Sequence, residues 1–307
     1  MKSSKNILKG IGSIVLSSLV IIGCGNENPD NTNIIKQVDS SVAPVIVKDI
    51  PIQKLDNAIF SVPSPIQLGQ IIQKSGAVYN EDLLNNPSSV NNYSDVASQS
   101  LNLGVYGADL GYTALYEKSQ KSIKFMKSVQ KLSTNIGIAD AFDMKTISAI
   151  QRNLTNGNKD SLLYVISNAY RKADDFLQVS DRKYIGSLVV VGGWLESMHF
   201  AGLLGMQNKG PEIQNMVGMQ KHTLNTMIDK MLSRYLNEPG VEEISNYLEE
   251  IRVLFDQVEI KYEYAKPETD KASKSTKLKS KSTVEISDEL FGKIVDKIEE
   301  IRVKVIK

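Results

Sequence analysis

From residue 64 to about residue 264 the apolar positions recur every three or four residues, the spacing of one helical face. The pattern predicts helices over 64–75, 94–117, 119–135, 144–155, 159–179, 182–206, 210–237 and 240–263. Ser64 followed by Pro65 suits a helix start, and Gly76 suits a stop. Alternating β-branched runs are nearly absent, and Asn156-Gly157 joins two helical segments rather than two strands. Short connections favour antiparallel neighbours. The fold class expected is all-α: a multi-helix bundle with a flexible N-terminal tether and a C-terminal amphipathic helix.

The helix at 240–263 carries Val241, Ile244, Leu248, Ile251, Phe255, Val258 and Tyr262, a narrow 3-4 seam. The stretch AKPETDKASKSTKLKSKST, with six lysines and two acids, reads as a mobile basic linker over 265–284. A final helix over 285–307 starts at Ser287, with Ile286 and Phe291 placed as a hydrophobic staple. Its seam is Phe291, Ile294, Ile298, Ile301 and Val305. Two seams of one period pack together or on the bundle; the sharper reading makes the last helix a docking element for a protein partner.

Two segments are apolar nearly all round. Between Asp95 and Glu117 the one charge is Asp109; between Lys183 and Lys209 it is Glu196. The second is long enough to span a bilayer, but a central acid, a histidine and a glycine pair favour a buried bundle helix. Gly104, Gly107, Gly111, Gly186, Gly192, Gly193, Gly202 and Gly205 weaken these helices unless close backbone approach offsets them.

Residues 1–24 have another character. Lys2, Lys5 and Lys9 precede an apolar stretch from Ile11 to Ile22, and Gly23 stands before Cys24, the single cysteine of the chain. This segment resembles a bacterial lipoprotein signal with its lipobox, although Ile22 stands where a small residue is commoner. The resemblance implies a signal peptide over 1–23, lipidation of Cys24 and a membrane held through that lipid anchor. Gly25, rather than Asp, after the cysteine implies the outer membrane in a Gram-negative envelope. Several acyl chains give anchoring that one would not, at about 0.8 kcal/mol per buried CH₂. Residues 24–63, rich in Asn, Asp, Ser and Pro, read as a tether with a short extended piece at 45–47 and a reach of about 35 Å. The body bears a loose resemblance to bodies of bacterial lipoproteins, which transfers no activity.

Composition narrows the chemistry. The 307 residues carry 36 Lys+Arg against 35 Asp+Glu, so net charge gives no ground for a nucleic-acid partner. One cysteine excludes an internal disulfide and a Cys-based zinc site. Glu196 and His199 form Glu-x-x-His, half of the ligand set of ferritin-like di-iron bundles, but His222, the other histidine, follows Met219 at that spacing and the second half-site is missing. A carboxylate–imidazole hydrogen bond within the helix is expected instead, with no metal and no cofactor. Asp109 lies between Tyr106 and Tyr112, with Tyr116 a turn on, and tyrosine hydroxyls are its expected partners. Trp194 is expected in the core. Elbow, Walker, zincin and Rossmann motifs are absent. The leading expectation is a non-enzymatic interaction or scaffold module. The alternative is a protein holding a small apolar or amphipathic ligand between the glycine-rich helices, with Asp109, Tyr106, Tyr112, Trp194, Glu196 and His199 as candidate contacts. An enzyme, with Asp109 and Glu196 as an acid/base pair, or a metal protein comes third.

Overall fold

A computed structural model describes residues 53–55, 58–60, 63–139, 143–179, 182–208, 211–270, 275–277 and 280–307. The segment read as a signal peptide, Cys24 and the extended piece expected at 45–47 lie outside the described residues. A small antiparallel pair, β1 (Gln53–Leu55) with β2 (Ala58–Phe60), stands inside the segment read as tether. The two strands are separated in sequence by Asp56-Asn57, turn-forming residue types.

The body is mostly helical: α1 (Pro65–Lys74), α2 (Val96–Leu115), α3 (Ser119–Asn135), α4 (Met144–Thr155), α5 (Lys159–Val179), α6 (Lys183–Asn208), α7 (Pro211–Thr226), α8 (Val241–Phe255) and α9 (Asp288–Val305). Local chemistry sets several starts. Ser64 and Gln67 form a reciprocal capping box on α1, with Ser64 N–H donating to Gln67 Oε1 at 2.8 Å. Asp95, Asp143 and Ser287 accept the N3 amides of α2, α4 and α9. Gly76, at φ +84°, turns the chain out of α1. Beyond Thr226 the chain stays coiled but leaves the α-helix, through a wide turn at Met227–Met231 and a tighter one at Leu232–Arg234.

Helices α2 and α6 are central. One apolar core gathers α1, α7, α8 and α9 around them; a second gathers α3, α4 and α5 on the other side of α2. This accounts for the lack of a polar face on either helix: from Ser100 to Leu115 every residue of α2 is buried. Among the described residues one helix, Lys183–Gln207, is long and apolar enough to cross a membrane, and 83% of its span is buried within the protein. The glycines do what their cost demanded. A Cβ on Gly104 would overlap the Val189 carbonyl oxygen, and one on Gly192 that of Leu101, so α2 and α6 touch main chain to main chain. Gly111 has a different neighbour, the Ile66 side chain of α1.

The region after α8 departs from expectation. The helix read as 240–263 ends at Phe255, and the chain becomes a strand, β3 (Glu259–Glu263). Its partner is β6 (Lys281–Glu285), with Ile260 opposite Val284; β4 (Glu268–Asp270) pairs with β5 (Ser275–Lys277). Within the segment read as a mobile linker, the described residues 268–270, 275–277 and 281–284 are therefore paired strands. The last helix is part of the bundle, not a separate unit: Phe291, Ile294, Val295, Ile298 and Ile301 are buried in the α6–α8 core. Ile286 packs against the same core as Phe291, in keeping with the staple.

Candidate functional site

The buried charges lie where α6 meets α9. On α6, Glu196 and His199 are three apart and share a face; on α9, Glu299 and Arg302 do the same. The helices run in opposite directions, so the pairs meet crosswise. Arg302 donates from Nε to Glu196 Oε2 at 2.6 Å and from a terminal nitrogen to Oε1 at 2.7 Å, a two-pronged grip on a fully buried carboxylate. His199 Nδ1 meets Glu299 Oε1. The Leu83 carbonyl caps both rungs, accepting from His199 Nε2 at 2.8 Å and from Arg302 at 3.1 Å. The expected hydrogen bond between Glu196 and His199 within α6 is replaced by this ladder, because α9 supplies each residue with a partner of complementary chemistry.

Asp109 enters from α2. Its Oδ1 accepts the Asn85 amide at 3.4 Å, while Oδ2 receives no N–H or O–H from the protein. Burial, then the neighbouring Glu196 charge, raises its pKa well above the carboxylate range; Arg302 and the Asn85 amide pull the other way. The protonated acid is thus favoured at Asp109, beside Glu196. Arg302 keeps its charge although burial opposes it, because the Glu196 carboxylate faces it and grips it by hydrogen bonds, with Glu299 adding to the effect.

The expected tyrosine partners of Asp109 are engaged elsewhere. Tyr106 donates to Asn86 O at 2.8 Å, and Tyr112 accepts the Asn80 amide at 3.0 Å. Tyr116 donates to Ala77 O at 2.6 Å. All three bind the segment 76–95, which lends them main-chain groups. The end of α9 is tied down as well: Asn102 donates to Val305 O at 2.8 Å, and Tyr93 to Ile306 O at 3.3 Å. Beside the ladder, Tyr112 stacks on Phe200 at 4.5 Å and on Tyr79 at 5.5 Å between ring centres. Burial pushes the Tyr79 phenol up to about 12.

Of the candidates from sequence, Asp109, Glu196 and His199 come together, Tyr106 and Tyr112 flank them, and Trp194 stands apart, its Nε1 donating to Gln220 on α7 at 3.2 Å. His222 is exposed. Among the described residues, no group of three or more His, Cys, Asp or Glu is placed to hold a metal ion. No family model, curated protein or solved structure matches the chain.

Sequence reasoning missed Glu299 and Arg302. A signal existed: Val295 and Arg302 are seven apart, in a third row beside the Ile294–Ile298–Ile301 seam, so an arginine stood at a core position. The Leu83 carbonyl left no such trace, since backbone groups carry no sequence mark. Chemically the arrangement is closed. Both Glu196 oxygens and both His199 nitrogens are committed to protein partners, and the cluster reaches water at the half-buried Glu299.

Proposed function

We propose that the chain is a lipoprotein of the bacterial envelope, held at the outer membrane through Cys24, whose helical body works as a non-enzymatic interaction module. The observation that carries the non-catalytic part is the commitment of Glu196 and His199 to Arg302, Glu299 and Leu83, which uses their chemistry to fix α9. The anchor rests on Lys2, Lys5, Lys9, the apolar stretch and Gly23-Cys24. Because the apolar face of α9 is buried, a protein partner at this helix would meet its outer face, which carries the Lys293–Glu289 and Lys304–Glu300 ion pairs and the half-exposed Val303. Labelled palmitate is expected on the wild-type chain and not on Cys24→Ala, which should leave the membrane fraction. A label that persists in Cys24→Ala would sink the anchor. Photocrosslinkers at 293 and 303 in the intact envelope should give one discrete product; none at either position would remove the helix as the contact.

One observation favours a second reading. Asp109 Oδ2 is buried without a hydrogen-bond partner, and a small amphipathic ligand with a hydroxyl, able to donate or accept, would supply one. The glycine contact fills the space between α2 and α6 at Gly104 and Gly192, so such a ligand would have to lie beside the segment 76–95, near Asn85, instead. Native mass spectrometry of the protein from its own host separates the readings: extra organic mass supports the ligand, a bare chain the module.

A further inference from the structure

The chain has one Asn-Gly pair, Asn156-Gly157, and the fold sets it at the corner between α4 and α5. Asn156 closes α4 at φ −85° and ψ 0°, its N–H donating to Arg152 O at 2.9 Å. Gly157 follows at φ +64°, the left-handed conformation that ends many helices. Gly76 after α1 and Gly137 after α3 make the same turn, and there the glycine N–H is used: Gly76 donates to Gln73 O at 3.2 Å and Gly137 to Thr134 O at 3.1 Å. The equivalent acceptor for Gly157 is Leu154 O, which takes the Ser119 hydroxyl at 3.1 Å instead. Among the described residues the Gly157 N–H has no acceptor and the Asn156 carboxamide no partner. The two neighbouring asparagines are held: Asn153 donates to Ala149 O at 2.9 Å, and Asn158 accepts the Ser161 amide at 3.2 Å.

We propose that Asn156 is a site of spontaneous deamidation in the folded protein, with Gly157 as nucleophile and water as the second reactant. Base takes the Gly157 amide proton, and the nitrogen attacks Asn156 Cγ. An N–Cγ bond forms, the Cγ–Nδ2 bond breaks, and Nδ2 takes a proton from water and leaves as ammonia. The five-membered imide then takes up one water. Breaking the new N–Cγ bond leaves aspartate; breaking the original peptide C–N bond leaves isoaspartate, with the chain running through the former side chain. Bringing Cγ onto the nitrogen takes a rotation about ψ of Asn156, and the corner has room for it. Residues 155–158 are exposed, and a Cβ on Gly157 would meet nothing within 4 Å. The new carboxylate stands at the negative end of the α4 dipole, with the Arg152 guanidinium one turn back to offset it. The body thus gains negative charge with age, whether or not the chain is lipid-anchored.

The test ages the full chain in mildly alkaline buffer and digests it with trypsin, an unaged sample correcting for conversion during handling. Cleavage after Arg152 and Lys159 gives a peptide that holds Asn153, Asn156 and Asn158 together. Tandem mass spectrometry locates the conversion, and methyl transfer by an isoaspartyl methyltransferase measures isoaspartate. Asn156 is expected to convert several-fold faster than either neighbour, to yield isoaspartate, and to react faster as pH rises. Gly157→Ala should slow it several-fold, because the added methyl hinders attack. Equal rates at the three asparagines overturn the proposal, as do aspartate without isoaspartate and an unchanged rate in Gly157→Ala. Urea separates the folded from the unfolded reaction. The rate should hold steady up to the onset of unfolding, and conversion that begins only as the chain unfolds overturns the proposal.

Discussion

Against α2, helix α6 presents Gly192 and Gly193 and lets main chain touch main chain; against α9 it presents Glu196 and His199 and is joined by charge. The first contact works by removing side chains and tolerates no addition. The second works by supplying partners and tolerates no subtraction. They also differ in what they specify. Sliding α9 by three residues in one direction would set Glu196 against Glu299, and in the other His199 against Arg302. The ladder therefore fixes the register of α9, whereas an apolar stripe alone accepts neighbouring registers at little cost.

The largest effect is expected from breaking the ladder on one side. Arg302→Met leaves Glu196 buried without its partner and should cost about 3–5 kcal/mol in urea unfolding. Adding Glu196→Leu to Arg302→Met should return most of that loss, because a buried pair gains little over apolar residues of similar volume. No recovery in the double variant would mean that the pair stabilises the fold outright rather than choosing a register. A chain cut before α9 removes Phe291, Ile294, Val295, Ile298, Ile301 and Val305 from the core and uncovers the residues they pack on, so loss of partner capture in such a truncation would report unfolding.

On the opposite side, Gly104→Ala and Gly192→Ala should each cost about 3 kcal/mol, the upper part of the overpacking range, because the added methyl meets backbone that cannot rotate away. Gly111→Ala meets only the Ile66 side chain and should cost far less. Similar losses at all three positions would argue against main-chain contact as the reason for the glycines.

These two contacts were not equally legible. The glycines announced themselves, since each weakens a helix and close approach is the usual compensation. Helix bounds at 119–135, 144–155 and 159–179 were also readable, because amphipathic periodicity is strong there. The charge ladder was half visible: Glu196 and His199 stood out in an apolar helix, while Glu299 and Arg302 were hidden among the ordinary charges of α9. Strand β3 was misread for a specific reason. Val258 and Tyr262 continue the 3-4 seam of α8, yet with Ile260 and Tyr264 they also alternate every second residue, so one stretch satisfied both periods. Pairing with β6, distant in sequence, decides for the strand.

A smaller effect, with a sign that separates the readings of the site, belongs to Asp109. Its pKa is raised on folding, so the native state holds a proton that the unfolded chain releases above about pH 4. The stability this proton contributes is complete below the unfolded pKa and declines as pH rises toward the folded one. Asp109→Asn keeps an acceptor for the Asn85 amide, offers Glu196 an N–H and cannot ionise. It should flatten the decline and leave the protein at least as stable at pH 8, by roughly 1 kcal/mol. Thermal unfolding from pH 5 to pH 9 checks this, and an unchanged slope would mean that Asp109 is ionised in the native state.

The mildest break is at the outer rung. One proton lies between His199 Nδ1 and Glu299 Oε1, and Glu299 is partly open to water, with 30% of its side chain exposed. Glu299→Gln can supply that proton from its amide to a ring that still donates from Nε2 to Leu83 O, so the rung changes chemistry without losing its bond. The cost should be about 0.5 kcal/mol, against about 1–2 kcal/mol for Glu299→Ala, which leaves a ring nitrogen of the buried His199 unmet. The contrast with Arg302→Met is the point of the experiment. If Glu299→Gln proved as damaging as the inner-rung change, both rungs would depend on full charge. A small effect would place the register signal in the buried Glu196–Arg302 pair and leave the outer rung as a hydrogen bond that an amide can replace.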